Sequence, residues 1–183
     1  MSVDRFEVNI AEMFGEQLWG REQGRTVRDQ IIGSFLSQEK SVLLLDFTGV
    51  SRIDFSCASE IISVFILRIS GELKGRHLLI TGLSQFVEEN VDAALSKAEL
   101  CCLFVESDGS WKLIGRYSDT LFNTLKKLKE LKQADTPILS NALDIAITSC
   151  NNRLKTLVNL GLVKRVELTA PSGGLIYLYY SII

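Results

Sequence analysis

Histidine is nearly absent from this sequence, and the absence narrows its chemistry. His77 is the one histidine. A Ser-His-Asp relay or a His-bearing metal centre would have to recruit a residue that opens the apolar run HLLIT, where a core role is expected. The four cysteines, Cys57, Cys101, Cys102 and Cys150, form no C-x-x-C pair. They are expected to be buried structural thiols, with no metal site. No G-x-x-x-x-G-K-S/T loop and no G-x-G-x-x-G occurs, and Ser172-Gly173-Gly174 does not lead from a buried strand into a helix, so no phosphate cradle is expected. The greasiest stretch, residues 61–69, is broken by Ser63 and Arg68 and is far too short for a membrane span. The opening MSVDRFEVNIAEMFG lacks the basic region and apolar run of a secretory signal. These absences point away from an enzyme, a cofactor and a membrane, and towards a soluble cytoplasmic protein.

What is present is ordinary globular material. The 183 residues are 46% hydrophobic and 23% charged, with a formal net charge of −2. That length fits one large domain or two small ones. The acidic balance argues against indiscriminate nucleic-acid binding but leaves room for a local basic face.

Residues 3–10 alternate as a strand does, and Val27, Ile31, Ile32 and Phe35 carry a helix over 21–38. SVLLLDF (41–47) reads as a central strand, followed by a Thr48-Gly49 turn and a strand fragment at 50–53. A helix over 56–69 is capped by Asp54 or Ser56. It is greasy all round, so one sheet face cannot bury it. A second domain, a second subunit or a partner is expected to cover its outer side. HLLIT (77–81) is a strand, 84–98 a helix with Phe86, Val87, Val91, Ala94 and Leu95 on its apolar side, CCLFV (101–105) a strand, and 111–114 a last short strand. The alternation predicts an α/β layer. Asp46 and Asp54 could approach one another at the strand ends, where two carboxylates could bind a divalent ion, but no third ligand is evident.

A boundary is expected at 115–118. Residues 116–135 then form a lysine-rich linker helix, with Lys126, Lys127, Lys129 and Lys132, that couples two domains, 1–115 and 136–183. In the second domain a helix (139–146), a tight turn (Ile147-Thr148) and a second helix (149–160) precede two strand-like runs, 164–169 and 175–180, joined by Ala170-Pro171-Ser172-Gly173-Gly174 as a hairpin.

Two resemblances emerge from these patterns. VLLLDFTGVSRIDFSCASEI, with HLLITGLSQFVEENVDAAL, resembles the STAS-like domain of anti-sigma-factor antagonists. This resemblance implies a mixed sheet with helices and a protein-binding role against a kinase-like ATPase. It also implies phosphorylation of a serine at the start of the helix. Here Phe55 stands where that serine would be, which leaves Ser56 as the possible phosphosite. Asp54, Phe55, Ile61 and Phe65 become candidate partner-interface residues. CNNRLKTLVNLGLVKR resembles the recognition helix of winged helix-turn-helix regulators, with anchors at Cys150, Leu154, Leu157, Val158 and Leu160 and a glycine stop at Gly161. On that reading Asn151, Asn152, Arg153 and Lys155 are exposed. Asn suits adenine and Arg suits guanine or phosphate, while Lys164, Arg165 and the Ser172-Gly173-Gly174 tip meet phosphates. The expectation is an α/β, STAS-like domain coupled to a winged-helix (α+β) domain in a transcriptional regulator that binds DNA and forms a homodimer. The alternative is a protein-interaction switch whose winged helix docks protein and does not bind DNA.

Overall fold

The computed structural model describes residues 5–169 and 173–183. The first two residues of the expected 3–10 strand, and residues 170–172 of the expected hairpin turn, Ser172 of the expected tip among them, lie outside them. The chain divides into two compact units, Met1–Tyr117 and Ser118–Ile183.

The first unit is mixed α/β. Strands β1 (Arg5–Asn9), β3 (Val42–Asp46), β5 (His77–Thr81), β6 (Cys101–Val105) and β7 (Trp111–Gly115) form one sheet in the order β1-β3-β5-β6-β7. The first four are mutually parallel and β7 closes the edge antiparallel. β1 thus completes the sheet beside β3. The apolar runs of β3, β5 and β6 are buried almost throughout, as unbroken Val/Leu/Ile runs require. His77 opens β5 and is buried. A separate two-residue pairing joins β2 (Gln17–Leu18) to β4 (Arg52–Ile53).

Helices α1 (Ile10–Phe14), α2 (Arg21–Leu36) and α5 (Gln85–Lys97) accompany a longer helical segment. That segment runs from α3 (Phe55–Ala58) through a π turn at Ser59–Ser63 into α4 (Val64–Ile69). Its start is set by Asp54, whose Oδ1 accepts the Cys57 N–H at 2.7 Å while Oδ2 accepts the Gly20 N–H at 2.9 Å. One side chain therefore caps α3 and ties down the chain at Trp19-Gly20.

The outer side of this greasy helix is covered from within the unit. α2 and α5 both pack on α3 and the π turn. Ile61 and Phe65 are consequently sealed inside, each no more than 2% exposed, and cannot form a partner surface. The sequence shows that the helix needs a cover but not where the cover comes from. Gly24 permits the close approach of α2: a Cβ there would lie 2.9 Å from Glu60 Cβ and 3.0 Å from the Cys57 backbone. Glu60, buried in the π turn, pairs with buried Arg28 at 2.5 Å and lies 3.4 and 3.6 Å from the outer arginines Arg25 and Arg21. Removing one member of such a buried pair costs about 3–5 kcal/mol, whereas the exposed arginines add little.

The second unit runs α6 (Asp119–Leu131), β8 (Gln133–Ala134), α7 (Thr136–Leu143), α8 (Ile147–Asn159), β9 (Val163–Thr169) and β10 (Leu175–Ser181), with a sheet ordered β8-β10-β9 and both pairings antiparallel. The expected linker helix, α6, packs on α7, α8 and β10. It buries Leu121, Thr124, Leu125 and Leu128. α7 starts earlier than the apolar pattern indicates, because Asp135 caps it by accepting the Ile138 N–H at 2.8 Å, with a proline in its first turn. It ends at Asp144, which takes a left-handed conformation at φ 53°, so the turn falls at 144–146 and Ile147-Thr148 already belong to α8.

Gly24→Ala tests the helix approach. In an unconstrained helix this change gains up to ~1 kcal/mol. Here the added methyl meets backbone and Glu60, and a loss of about 1–3 kcal/mol is expected in urea unfolding followed by circular dichroism. A stabilised variant would contradict the packing.

Candidate nucleic-acid interface and partner surface

The orientation of α8 follows from its buried stripe. Cys150, Leu154 and Leu157 are completely buried, and Val158 and Leu160 half-buried. Gly161, at φ 70°, ends the helix in a Schellman arrangement. The Leu162 N–H bonds Leu157 O at 2.9 Å and the Gly161 N–H bonds Val158 O at 3.0 Å. Leu162 and Val163 then enter the core.

With that stripe inward, Thr148, Ser149, Asn151, Asn152, Lys155, Thr156 and Asn159 face outward. α8 contains no Asp or Glu. The second unit carries eight Lys and Arg against five Asp and Glu, a net of +3, which leaves −5 on the first unit. The mild acidity of the whole chain thus conceals a basic C-terminal unit.

The six residues expected to meet nucleic acid do not form one surface. Asn152 and Lys155 are exposed on α8. Asn151 is exposed too, but its Oδ1 accepts the Thr136 hydroxyl at 2.9 Å. A two-bond contact with adenine uses both ends of the amide, so Asn152 is the better placed of the two. Arg153 departs from expectation. It is half-buried, and its guanidinium donates to the Thr124 hydroxyl of α6 at 3.4 Å. It lies three residues after Cys150 and so flanks the buried stripe. Lys164 and Arg165, both exposed, are consecutive in β9 and project to opposite faces. Arg165 sits 4.8 Å from the Tyr177 ring, on the face that also carries buried Tyr179, and Lys164 lies on the other.

In the first unit, Asp54 is committed to its two N–H groups. Ser56 is half-buried, and a phosphate on it would bring about −2 of charge towards the capping carboxylate. Phe55 is 40% exposed at the helix start. Two further exposed aromatics of this unit are not singled out by the sequence. Trp19, 65% exposed, is held by the Gly20–Asp54 bond, and Phe86, 52% exposed, was expected on the apolar side of α5. Trp19 and Phe86 line a shallow pocket of about 250 Å³ with Ser51 and Arg52. The available signal was Phe86's place in the first turn of α5, one residue before the buried stripe of Val87, Val91, Ala94 and Leu95.

Burial disfavours the thiolate form of the cysteines. All four are buried and none is in a disulfide. Burial, with lesser help from the Asp54 and Glu60 charges, pushes Cys57 up to about 12, and burial alone does the same for Cys101. Cys102 and Cys150 are also raised by burial. Among the described residues no group of three or more His, Cys, Asp or Glu is placed to hold a metal ion, and no helix is long and apolar enough to cross a membrane. The sequence matches no protein-family model and no curated protein.

A thiol with pKa near 12 is about one part in ten thousand thiolate at pH 8, and gains reactivity only as pH climbs towards that value. A disulfide reagent at pH 8 should therefore modify no cysteine quickly in the native chain and all four in denaturant. Rapid labelling of the folded protein would contradict the burial.

Proposed function

We propose that the chain is a non-enzymatic, cytoplasmic regulator in which a STAS-like α/β unit meets a protein partner and a winged-helix unit meets double-stranded DNA. The observation that carries this reading is the outward face of α8: Asn152 and Lys155, beside Asn151, on a helix free of acidic residues in a unit of net charge +3. The order helix, short strand, helix, helix, hairpin in the second unit supports it. Asn152 supplies a base-reading amide and Lys155 a phosphate contact. Arg153 acts indirectly, fixing α8 against α6 through Thr124.

A second reading, a protein-interaction switch without DNA binding, draws on the aromatic surface of Trp19, Phe55 and Phe86 in the first unit. Exposed aromatics suit a protein partner, of the kinase-like ATPase class by resemblance, better than they suit nucleic acid. Both readings assign that surface to a partner, and they divide on α8.

Fluorescence anisotropy of labelled duplex DNA across a salt series separates them. Binding at low salt should fall steeply with rising salt, and N152A/K155A should weaken it at least about tenfold while R153A unfolds more easily. Absence of binding to any duplex at low salt would overturn the DNA reading and favour the switch.

A further inference from the structure

The hairpin of the second unit ends in an open strand. β9 lies at the edge of the three-stranded sheet, paired with β10 on one side and, among the described residues, with no strand on the other. It has seven residues, Val163–Thr169, without proline or glycine. An unbroken edge of that length offers a row of main-chain donors and acceptors to another strand. One face of the hairpin is also apolar and incompletely covered. Leu168 and its cross-strand neighbour Ile176 are 43% and 39% exposed, and Val166 and Leu178, the next pair on that face, are half-buried.

Edge strands are usually protected by charge, and β9 has Lys164 and Arg165. What changes their meaning is Glu167. In an antiparallel pairing of β9 with a second β9 about a two-fold axis normal to the sheet, opposing residues must share a face, so only every second register is allowed. The register centred on Val166 uses the whole strand. It sets Val163 opposite Thr169, Val166 opposite itself and Arg165 opposite Glu167, twice by symmetry. It also lays the Lys164 stem along Leu168 of the other copy. The two neighbouring registers set Arg165 against Arg165 or Glu167 against Glu167, and like charges directly opposed are unfavourable. The strand is therefore complementary to itself in one register and repels itself in the adjacent ones.

We infer that β9 is the contact through which two copies of this chain associate, joining their three-stranded sheets into one six-stranded sheet centred on Val166. The interface is isologous, as a two-fold dimer requires. It is small, so association is weak and concentration-dependent. The inference concerns the free protein and does not depend on whether α8 meets DNA.

Sedimentation equilibrium of the full chain without DNA, from about 1 to about 500 µM, is the test, since a small interface populates within such a range. The wild type should show a reversible monomer–dimer equilibrium. R165E sets Glu against Glu and E167R sets Arg against Arg. Each should weaken association about tenfold, two opposed pairs being affected. An equimolar mixture of the two variants restores both ion pairs and should dimerise as the wild type does, as should R165E/E167R alone. Circular dichroism checks folding. Where a variant misfolds, hydrogen exchange of the wild type decides, because β9 amides should gain protection as concentration rises. A monomer throughout, a dimer indifferent to both reversals, failure of the mixture to recover, or concentration-independent β9 exchange would each overturn the inference.

Discussion

Cys150, Leu154 and Leu157 occupy the interior of the second unit, and their burial sets the rotation of α8 about its axis. Each such side chain removed from water stabilises by about 1.5–3 kcal/mol, so no other face of the helix can be turned inward at comparable free energy. Everything the unit displays follows from that constraint. Asn152 and Lys155 face out because the stripe faces in, and Arg153, at the stripe's margin, is drawn back to Thr124. The Gly161 turn then sends Leu162 and Val163 into the core and starts β9 in a fixed register with β10. The alternation along β9 places Lys164 and Arg165 on opposite faces. The outward surface here is the residue of a packing solution.

The same logic governs the first unit. The helical segment that begins at Phe55 is apolar on most sides, and its packing partners are helices of its own unit. Gly24 lets α2 come close, and the ion pair of Glu60 with Arg28 satisfies the one charged group caught between them. What remains outside is Leu67 of α4 and the rim at the start of α3. There Asp54 ties two segments together and leaves Trp19, Phe55 and Phe86 in solvent.

Strong local patterns were readable from the residues alone. The unbroken runs of β3, β5 and β6, the helical spacing of α2 and α5, and the Gly161 stop of α8 all lie where the sequence indicates. Elements made of two residues were not, because β2, β4 and β8 hold too few side chains to show a period. The Asp144 turn was displaced because Ile145 and Ile147 imitate a continuing apolar stripe, while a left-handed aspartate leaves no mark in hydrophobicity. The departures at the candidate sites have one origin. A motif places Ile61, Phe65 and Arg153 outward, whereas neighbours distant in sequence decide where they lie: α2 and α5 for the first two, Thr124 for the third. Trp19 and Phe86 were missed for the converse reason, since large aromatics are expected inside and only tertiary structure shows which of them stay out.

DNA binding by the outward face of α8, as we propose it, is decided by ¹H–¹⁵N spectra of the full chain titrated with a DNA duplex at low salt. The largest shift changes should fall on the amides and side-chain amides of Asn151 and Asn152 and on the Lys155 amide. Shifts confined to the surroundings of Trp19, Phe55 and Phe86, or no shifts at all, would contradict it.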